Sequence, residues 1–197
     1  MRLFLKALIC SFVVSCVLSI NGFYGACSEI REDVFRLHII ANSDSIEDQA
    51  LKLKVRDGLL EYTEEIFKEC NNKEEAVSAA KESIDSLRGY AQRIVNDSGY
   101  DYAVDAYVTN MRFDTKAYKD FTLPAGEYDA LRIVIGKAQG HNWWCVLFPA
   151  WCIPASSNNE HNGVFNEKEE NIVKDSDEFE VGFRIVEFFE YICSWFR

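Results

Sequence analysis

Proline is scarce in this chain, at three residues in 197, which argues against long Pro-rich linkers. Histidine is as rare, present only as His38, His141 and His161. There is no Cys-x-x-Cys pair and no histidine at ligand spacing from a cysteine, so a structural zinc site is not expected. Basic residues are outnumbered by acidic ones, 21 to 32. Arg2 and Lys6 carry all the charge of residues 1–28, which leaves 19 basic and 32 acidic side chains for the other 169 residues. That balance excludes a nucleic-acid binder working through a general basic field, and it disfavours adhesion of the folded part to anionic lipid. What the chain has in quantity is apolar and aromatic surface: 48% apolar residues, with 14 Phe, 9 Tyr and 4 Trp. Such a composition folds rather than staying disordered.

Behind Arg2 and Lys6, Ala7 to Ile20 forms fourteen residues without a charge, ending at Asn21-Gly22. A cationic start and an apolar stretch of this length form the export-signal pattern, whereas a spanning helix wants roughly eighteen residues or more. Adding Leu3 to Leu5 approaches that length, so an uncleaved anchor is the alternative. Tyr24-Gly25-Ala26 is a poor cleavage site, small only at its last two positions. Tyr24-Gly-Ala-Cys27 resembles a lipoprotein box with Tyr at its aliphatic position, which makes lipidation of Cys27 a third outcome. Of the seven cysteines, Cys10 and Cys16 lie in the apolar segment, and Cys27, Cys70, Cys145, Cys152 and Cys193 lie outside it. Cys145 and Cys152 can close a small disulfide loop if Leu147-Phe148-Pro149 turns, or they pack as two buried free thiols.

Val34 to Ala41 is rich in β-branched and apolar residues and predicts a central strand. It stops at Asn42-Ser-Asp-Ser45, and Ser45-Ile-Glu-Asp48 has the hydroxyl and carboxylate spacing that caps a helix N-terminus. Ile46, Ala50, Leu53, Leu60 and Phe67 then predict one buried helix face, with Lys52, Lys54, Arg56 and Asp57 on the rest. Asn71-Asn72 breaks this helix. Val77, Ala80, Ile84, Leu87, Ala91 and Ile94 predict a second, stopped at Asn96-Asp-Ser-Gly99. From Tyr100 to Val108 the period is two, the mark of a half-buried strand. Lys116 to Leu123 predicts a loop, Glu127 to Ile135 a strand, Gly136 to Asn142 a turn, and Trp143 to Phe148 its hairpin partner. The order implies an α+β fold: an antiparallel or mixed sheet covered on one side by two central helices, plus a C-terminal helix.

The domain plan is a signal peptide or anchor over 1–28, one α+β domain over 29–154, an acidic linker over 155–178 and an amphipathic helix over 179–197. Residues 155 to 180 hold eight acids and two lysines, a composition suited to a mobile connection. In the last helix Phe183, Val186, Phe189 and Ile192 form the stripe that Ile185 and Phe188 widen, suited to docking on the sheet or on a partner or membrane surface.

Four constellations bear on chemistry. His141 stands four residues before Cys145, the pairing by which cysteine hydrolases obtain a thiolate. On a regular strand, however, positions four apart are about 13 Å apart, and His38 serves only if its strand neighbours the hairpin. Asp44, Glu47 and Asp48 offer oxygen ligands but match no calcium-loop spacing and fit helix capping. Gly136-Lys-Ala-Gln-Gly140 lacks the spacing and the Lys-Ser/Thr ending of a phosphate loop, which leaves a turn. Trp143 and Trp144 must face opposite sides of a regular strand, and an exposed Trp is a common interface anchor. No cofactor is implied.

Two segments carry a resemblance: His38-Ile-Ile-Ala-Asn-Ser-Asp-Ser-Ile-Glu-Asp-Gln-Ala-Leu-Lys-Leu-Lys-Val-Arg-Asp57, and Pro124 to Gly136 continued by Gly140-His-Asn-Trp-Trp-Cys-Val-Leu-Phe-Pro149. In order, over roughly residues 34 to 152, the chain resembles the stage II sporulation protein R family of endospore-forming Firmicutes. The resemblance implies a signalling ligand rather than an enzyme, made in the forespore and exported into the space between forespore and mother cell. Its implied partner is a membrane-embedded aspartic-type protease of the mother cell that processes the sigma-E precursor. By type and location, candidate contact residues are Asn42, Ser43, Asp44, Glu47, Asp48, Gln49, Asn142, Trp143 and Trp144. The competing expectations are an exported cysteine hydrolase using Cys145 and a histidine, and a structural protein anchored through residues 3 to 20.

Overall fold

The computed structural model describes residues 2–118, 121–149, 169, 172–173 and 179–194, and the chain divides into two compact units. The sheet-bearing unit comprises Asp33–Met111 and Glu127–Val164. Its elements are β1 (Phe35–Ile40), α2 (Ile46–Phe67), α3 (Lys73–Glu82), α4 (Ile84–Asp97), β2 (Val104–Phe113), β5 (Gly126–Ile135) and β6 (Asn142–Phe148), with the ends of β2 and β5 crossing the unit boundary. The other unit comprises Met1–Glu32, Arg112–Gly126 and Phe165–Arg197. It holds α1 (Arg2–Asp33), β3 (Lys116–Ala117), β4 (Thr122–Leu123) and α5 (Glu180–Ser194). The fold class is the expected α+β, with a mixed sheet.

The sheet order is β2-β5-β1-β6. β1 runs parallel to β5, from Phe35 opposite Asp129 to Ile40 opposite Val134. It runs antiparallel to β6, from Phe35 opposite Phe148 to Ile40 opposite Asn142. The central position expected for β1 is therefore what the chain adopts. Phe35, Leu37 and Ile39 join the core formed with Leu51, Val55 and Leu59 of α2 and Leu87 and Ala91 of α4. Each such fully buried side chain contributes roughly 2 kcal/mol. Arg36 and His38 alternate onto the opposite face and are also buried, with the Arg36 guanidinium 4.9 Å from the centre of the Tyr128 ring.

The expected hairpin between the strands now labelled β5 and β6 does not form, because β1 lies between them. A connection from Gly136 to His141 reaches roughly 20 Å, ample for the two strand spacings of about 5 Å each that it must step across. A turn signal between two strand patterns identifies the turn but not what stands between the strands.

Three further expectations are corrected. The buried face of α2 is Asp48, Leu51, Lys52, Val55, Leu59, Leu60, Thr63 and Phe67, while Ile46 is 85% exposed. The stripe is rotated because Asp48 and Lys52, polar by type, find buried partners described below. The second helix is two, α3 and α4, parted at Ser83. Lys116 to Leu123 is not a plain loop: Lys116 pairs with Leu123 and Ala117 with Thr122 as a short antiparallel ladder. The rings of Tyr118 and Phe121 stack 4.5 Å apart across it.

Tyr100, Tyr102, Val104, Ala106 and Val108 all pack toward the core, as the two-residue period requires, but the strand expected from Tyr100 begins only at Val104 and continues to Phe113. Most of the acidic connection lies outside the described residues. Of it, Glu169, Ile172 and Val173 are helical and buried, at spacings of three and four that share one helical face.

Because β1 bonds to a strand on each side, the amides of Leu37 to Ile39 are expected to exchange with solvent far more slowly than those of Asn142 to Trp144 on the edge strand. Native-state hydrogen exchange measures this, and faster exchange in β1 would contradict its insertion.

Candidate functional site

The two segments singled out separately in the sequence meet at one end of the sheet. β1 leaves the core at Ala41, and Asn42-Ser43-Asp44 carries the chain into α2. Ser45 is the N-cap, extended at φ −60° and ψ 153°, and its hydroxyl accepts from the Asp48 N–H at 3.1 Å. Substituting alanine at such a cap costs about 1 kcal/mol. Glu47 and Asp48 in the first turn complement the helix dipole.

Asp48 does more than cap. It is buried, and one carboxylate oxygen, Oδ2, accepts from Asn42 Nδ2 at 2.8 Å and from Ser43 Oγ at 2.5 Å. Burial alone would raise its pKa, but hydrogen bonds from Ser43, Asn42 and the Tyr102 hydroxyl outweigh burial and hold the carboxyl below its ordinary value.

The turn after β5 is fastened to the same loop. Gln139 N–H donates to the Asn42 carbonyl at 3.1 Å and Gly140 N–H to the Ala41 carbonyl at 3.0 Å. Lys137 N–H donates to Asn42 Oδ1 at 3.0 Å, and His141 N–H to Asp44 Oδ1 at 2.6 Å. The His141 imidazole Nδ1 also stands 2.5 Å from Asp44 Oδ1, and these bonds lower the pKa of the exposed Asp44 carboxyl. Gly136 sits at φ +59°, and a Cβ there would meet Asn42 Oδ1 at 2.3 Å. At Gly140 a Cβ would meet the Ser43 carbonyl oxygen at 2.2 Å. Both glycines are what permits the close approach.

Lys52, expected on the solvent face, closes the junction from α2. Its ammonium donates to Gln49 Oε1 at 2.6 Å and to the His141 carbonyl at 2.8 Å. Gln49 in turn donates to the Ser43 carbonyl at 2.9 Å and to Asp44 Oδ1 at 3.3 Å. Burial depresses the Lys52 pKa, aided by the Arg56 charge and opposed by Asp44.

Trp143 and Trp144 face opposite sides of β6, as alternation requires. Trp143 packs against the helix-side core, with the Arg56 guanidinium 4.4 Å from its ring centre. Trp144 stands edge-on to His38, ring centres 6.4 Å apart. Both are half-buried, while Asn142 at the strand start is exposed. Burial lowers the His38 pKa from 6.5, an effect opposed by a hydrogen bond with Asn142 and reinforced by the charges of Arg132 and Arg36.

The candidate contact residues thus fall into two groups. Asn42, Ser43, Asp48 and Gln49 hold the junction together, and Trp143 and Trp144 pack at its base. Asp44, Glu47 and Asn142 are exposed on it. Ile46, placed on the buried face by its apolar character, belongs with the exposed group. As the first helical residue, it precedes the turn on which α2 meets the sheet.

The cysteine dyad is not assembled. Cys145 is disulfide-bonded; Cys152, its expected partner, lies outside the described residues. Leu37, not His38, lies opposite Cys145 in the β1–β6 register, so His38 points to the other face. His141 is held by Asp44. The Gly136–Gly140 turn directs the N–H groups of Lys137, Gln139 and Gly140 onto Asn42 and Ala41, which leaves those donors no phosphate to cradle.

A family model described as Stage II sporulation protein R matches residues 31–158, a span containing both halves of the junction. A curated relative, "Stage II sporulation protein R" of Bacillus subtilis (strain 168), is 35% identical over 131 residues. The match covers 66% of this chain and 58% of the relative. No solved structure matches.

Replacing Asp48 by Ala leaves three donors without their acceptor and is expected to destabilise the protein by about 2 kcal/mol. Urea unfolding at neutral pH reads the change, and a loss below about 0.5 kcal/mol would contradict the role given to this carboxylate.

The depressed His38 pKa makes stability full above 6.5 and lowers it as the pH falls through 6.5 toward the folded-state value. Unfolding free energies measured between about pH 8 and pH 5 should therefore fall, and more steeply in the wild type than in His38→Gln. Equal slopes would count against a buried neutral imidazole.

Proposed function

The chain belongs to the stage II sporulation protein R family, and on that premise we propose that it is an exported signalling protein of endospore formation. It acts as a ligand: by protein–protein contact it activates a membrane aspartic-type protease of the mother cell that processes the sigma-E precursor. Signalling of this kind needs differential binding to the active form or assembly of the receptor, and no chemistry of the ligand's own.

The observation that carries the reading is the junction of the Asn42–Gln49 loop with the Gly136–Trp144 segment. The two stretches that carry the resemblance to the family are hydrogen-bonded into one preorganised surface with Asp44, Ile46, Glu47, His141 and Asn142 exposed on it. Preorganisation lowers the ordering cost that binding must overcome. The alternative hydrolase reading lacks a free Cys145 thiol, and neither of the described histidines, His38 and His141, is set against it.

Export and membrane contact through the N-terminal segment are part of the proposal. Phe4, Leu5, Leu8, Ile9, Phe12, Val14 and Leu18 of α1 are all exposed, an apolar surface of the kind that leaders and lipid-facing helices present. Among the described residues no helix is long and apolar enough to cross a membrane.

Co-production of the exported chain with the receptor protease and the sigma-E precursor should yield processing. Ile46→Asp and Glu47→Lys combined in one double variant, both at exposed positions of the first turn of α2, are expected to reduce processing at least about tenfold, the equivalent of 1.4 kcal/mol of contact. The charge changes at the helix N-terminus are expected to alter unfolding stability by no more than about 1 kcal/mol, so the variant should remain folded. Wild-type levels of processing by the double variant would refute this surface, and absence of processing by correctly exported wild type would refute the function.

A further inference from the structure

In α1 the change from exposed to buried side chains falls at Phe23. Every described side chain from Phe4 to Gly22 is exposed, whereas Phe23, Tyr24 and Gly25 are half-buried and Ala26, Cys27, Ile30 and Arg31 are buried. The change does not coincide with the Tyr24-Gly25-Ala26 site at which a leader would be cut, or with the lipid-box cysteine. It precedes both.

Phe23 is held on the C-terminal helix. Its ring stacks on Phe179 with centres 5.6 Å apart and 17° between the planes, and it meets Phe183 edge-on at 5.4 Å. Between those two phenylalanines the helix carries Gly182, where a Cβ would come within 2.8 Å of the Phe23 ring. The missing side chain is the space the ring fills. Aromatic pairs of this geometry stabilise beyond the area they bury. About two turns further on, Arg31 fastens the end of α1 within the same unit: its Nη1 donates to the Ala125 carbonyl at 3.0 Å. Its guanidinium lies 5.4 Å from the centre of the Tyr24 ring.

We infer that Phe23 to Asp33 is a structural element of the folded protein, and that any proteolytic processing of the N-terminal segment takes place on the N-terminal side of Phe23. Cutting after Ala26 would remove Phe23 and Tyr24, emptying the aromatic notch on α5 and stripping the ring from Arg31. Acylation of Cys27 as a new N-terminus would do the same. The C-terminal helix depends on an N-terminal segment that a leader reading discards, so export without retention of Phe23 would release a chain whose α5 has lost its docking partner.

Intact-mass and N-terminal analysis of the full chain recovered from an exporting, spore-forming host tests it directly. A terminus at or before Phe23, including a wholly retained segment, is the expected result. A product beginning between Tyr24 and Cys27, or fatty acid on Cys27, would overturn it. Limited proteolysis supplies a second reading. Phe23→Ala is expected to raise the rate of cleavage within Glu180–Ser194 at least about tenfold, with Phe23→Leu intermediate and amide exchange in β1 unchanged. An unchanged cleavage rate in Phe23→Ala would overturn the docking role of this ring.

Discussion

The side chain and backbone of Asn42 tie the end of β1 and the start of α2 to a turn some 95 residues further along the chain. Its Nδ2 donates to Asp48 at the start of α2, its Oδ1 accepts from Lys137, and its carbonyl accepts from Gln139 in the turn between β5 and β6. An amide can do this because it carries both a donor and an acceptor on one short, planar group. The geometry also requires bare backbone opposite it, which Gly136 and Gly140 supply. The Gly140 N–H on the Ala41 carbonyl, the His141 N–H on Asp44 and the Lys52 ammonium on the His141 carbonyl reinforce this clasp, and together these bonds give the loop a fixed shape to present.

What was legible in the sequence was local. The buried strand at Val34 to Ala41, the Ser45 cap, the two-residue period from Tyr100 and the opposed faces of Trp143 and Trp144 each follow from neighbours a few positions away. What was not legible depended on partners far along the chain. Nothing near Lys52 announces that its ammonium will be received by the carbonyl of His141, so a lysine in an amphipathic pattern reads as solvent-exposed. Nothing near Gly136 announces that β1 stands between the strands it connects. Ile46 was misplaced for the related reason that apolar character predicts burial only where the fold offers a surface to be buried against.

The candidate site was legible as two fragments and not as one surface. Their union divides the labour among residues of similar type. Asp44 and Asp48 are both aspartates in one short loop, yet Asp48 is spent on the interior while Asp44 stands at the rim beside His141. Net acidity says little about recognition here. The surface is defined by which polar groups the clasp leaves exposed.

The N-terminal helix adds a second constraint of the same kind, since the fold uses residues that composition assigns to a leader. On the proposed reading, this exposed junction is what the mother-cell protease recognises. A photo-cross-linking residue placed at Glu47, and at Asp85 on the exposed side of α4 as control, examines that most directly. An adduct with the protease from position 47 and none from position 85 is the result the account predicts; an adduct from position 85 with none from position 47 would contradict it.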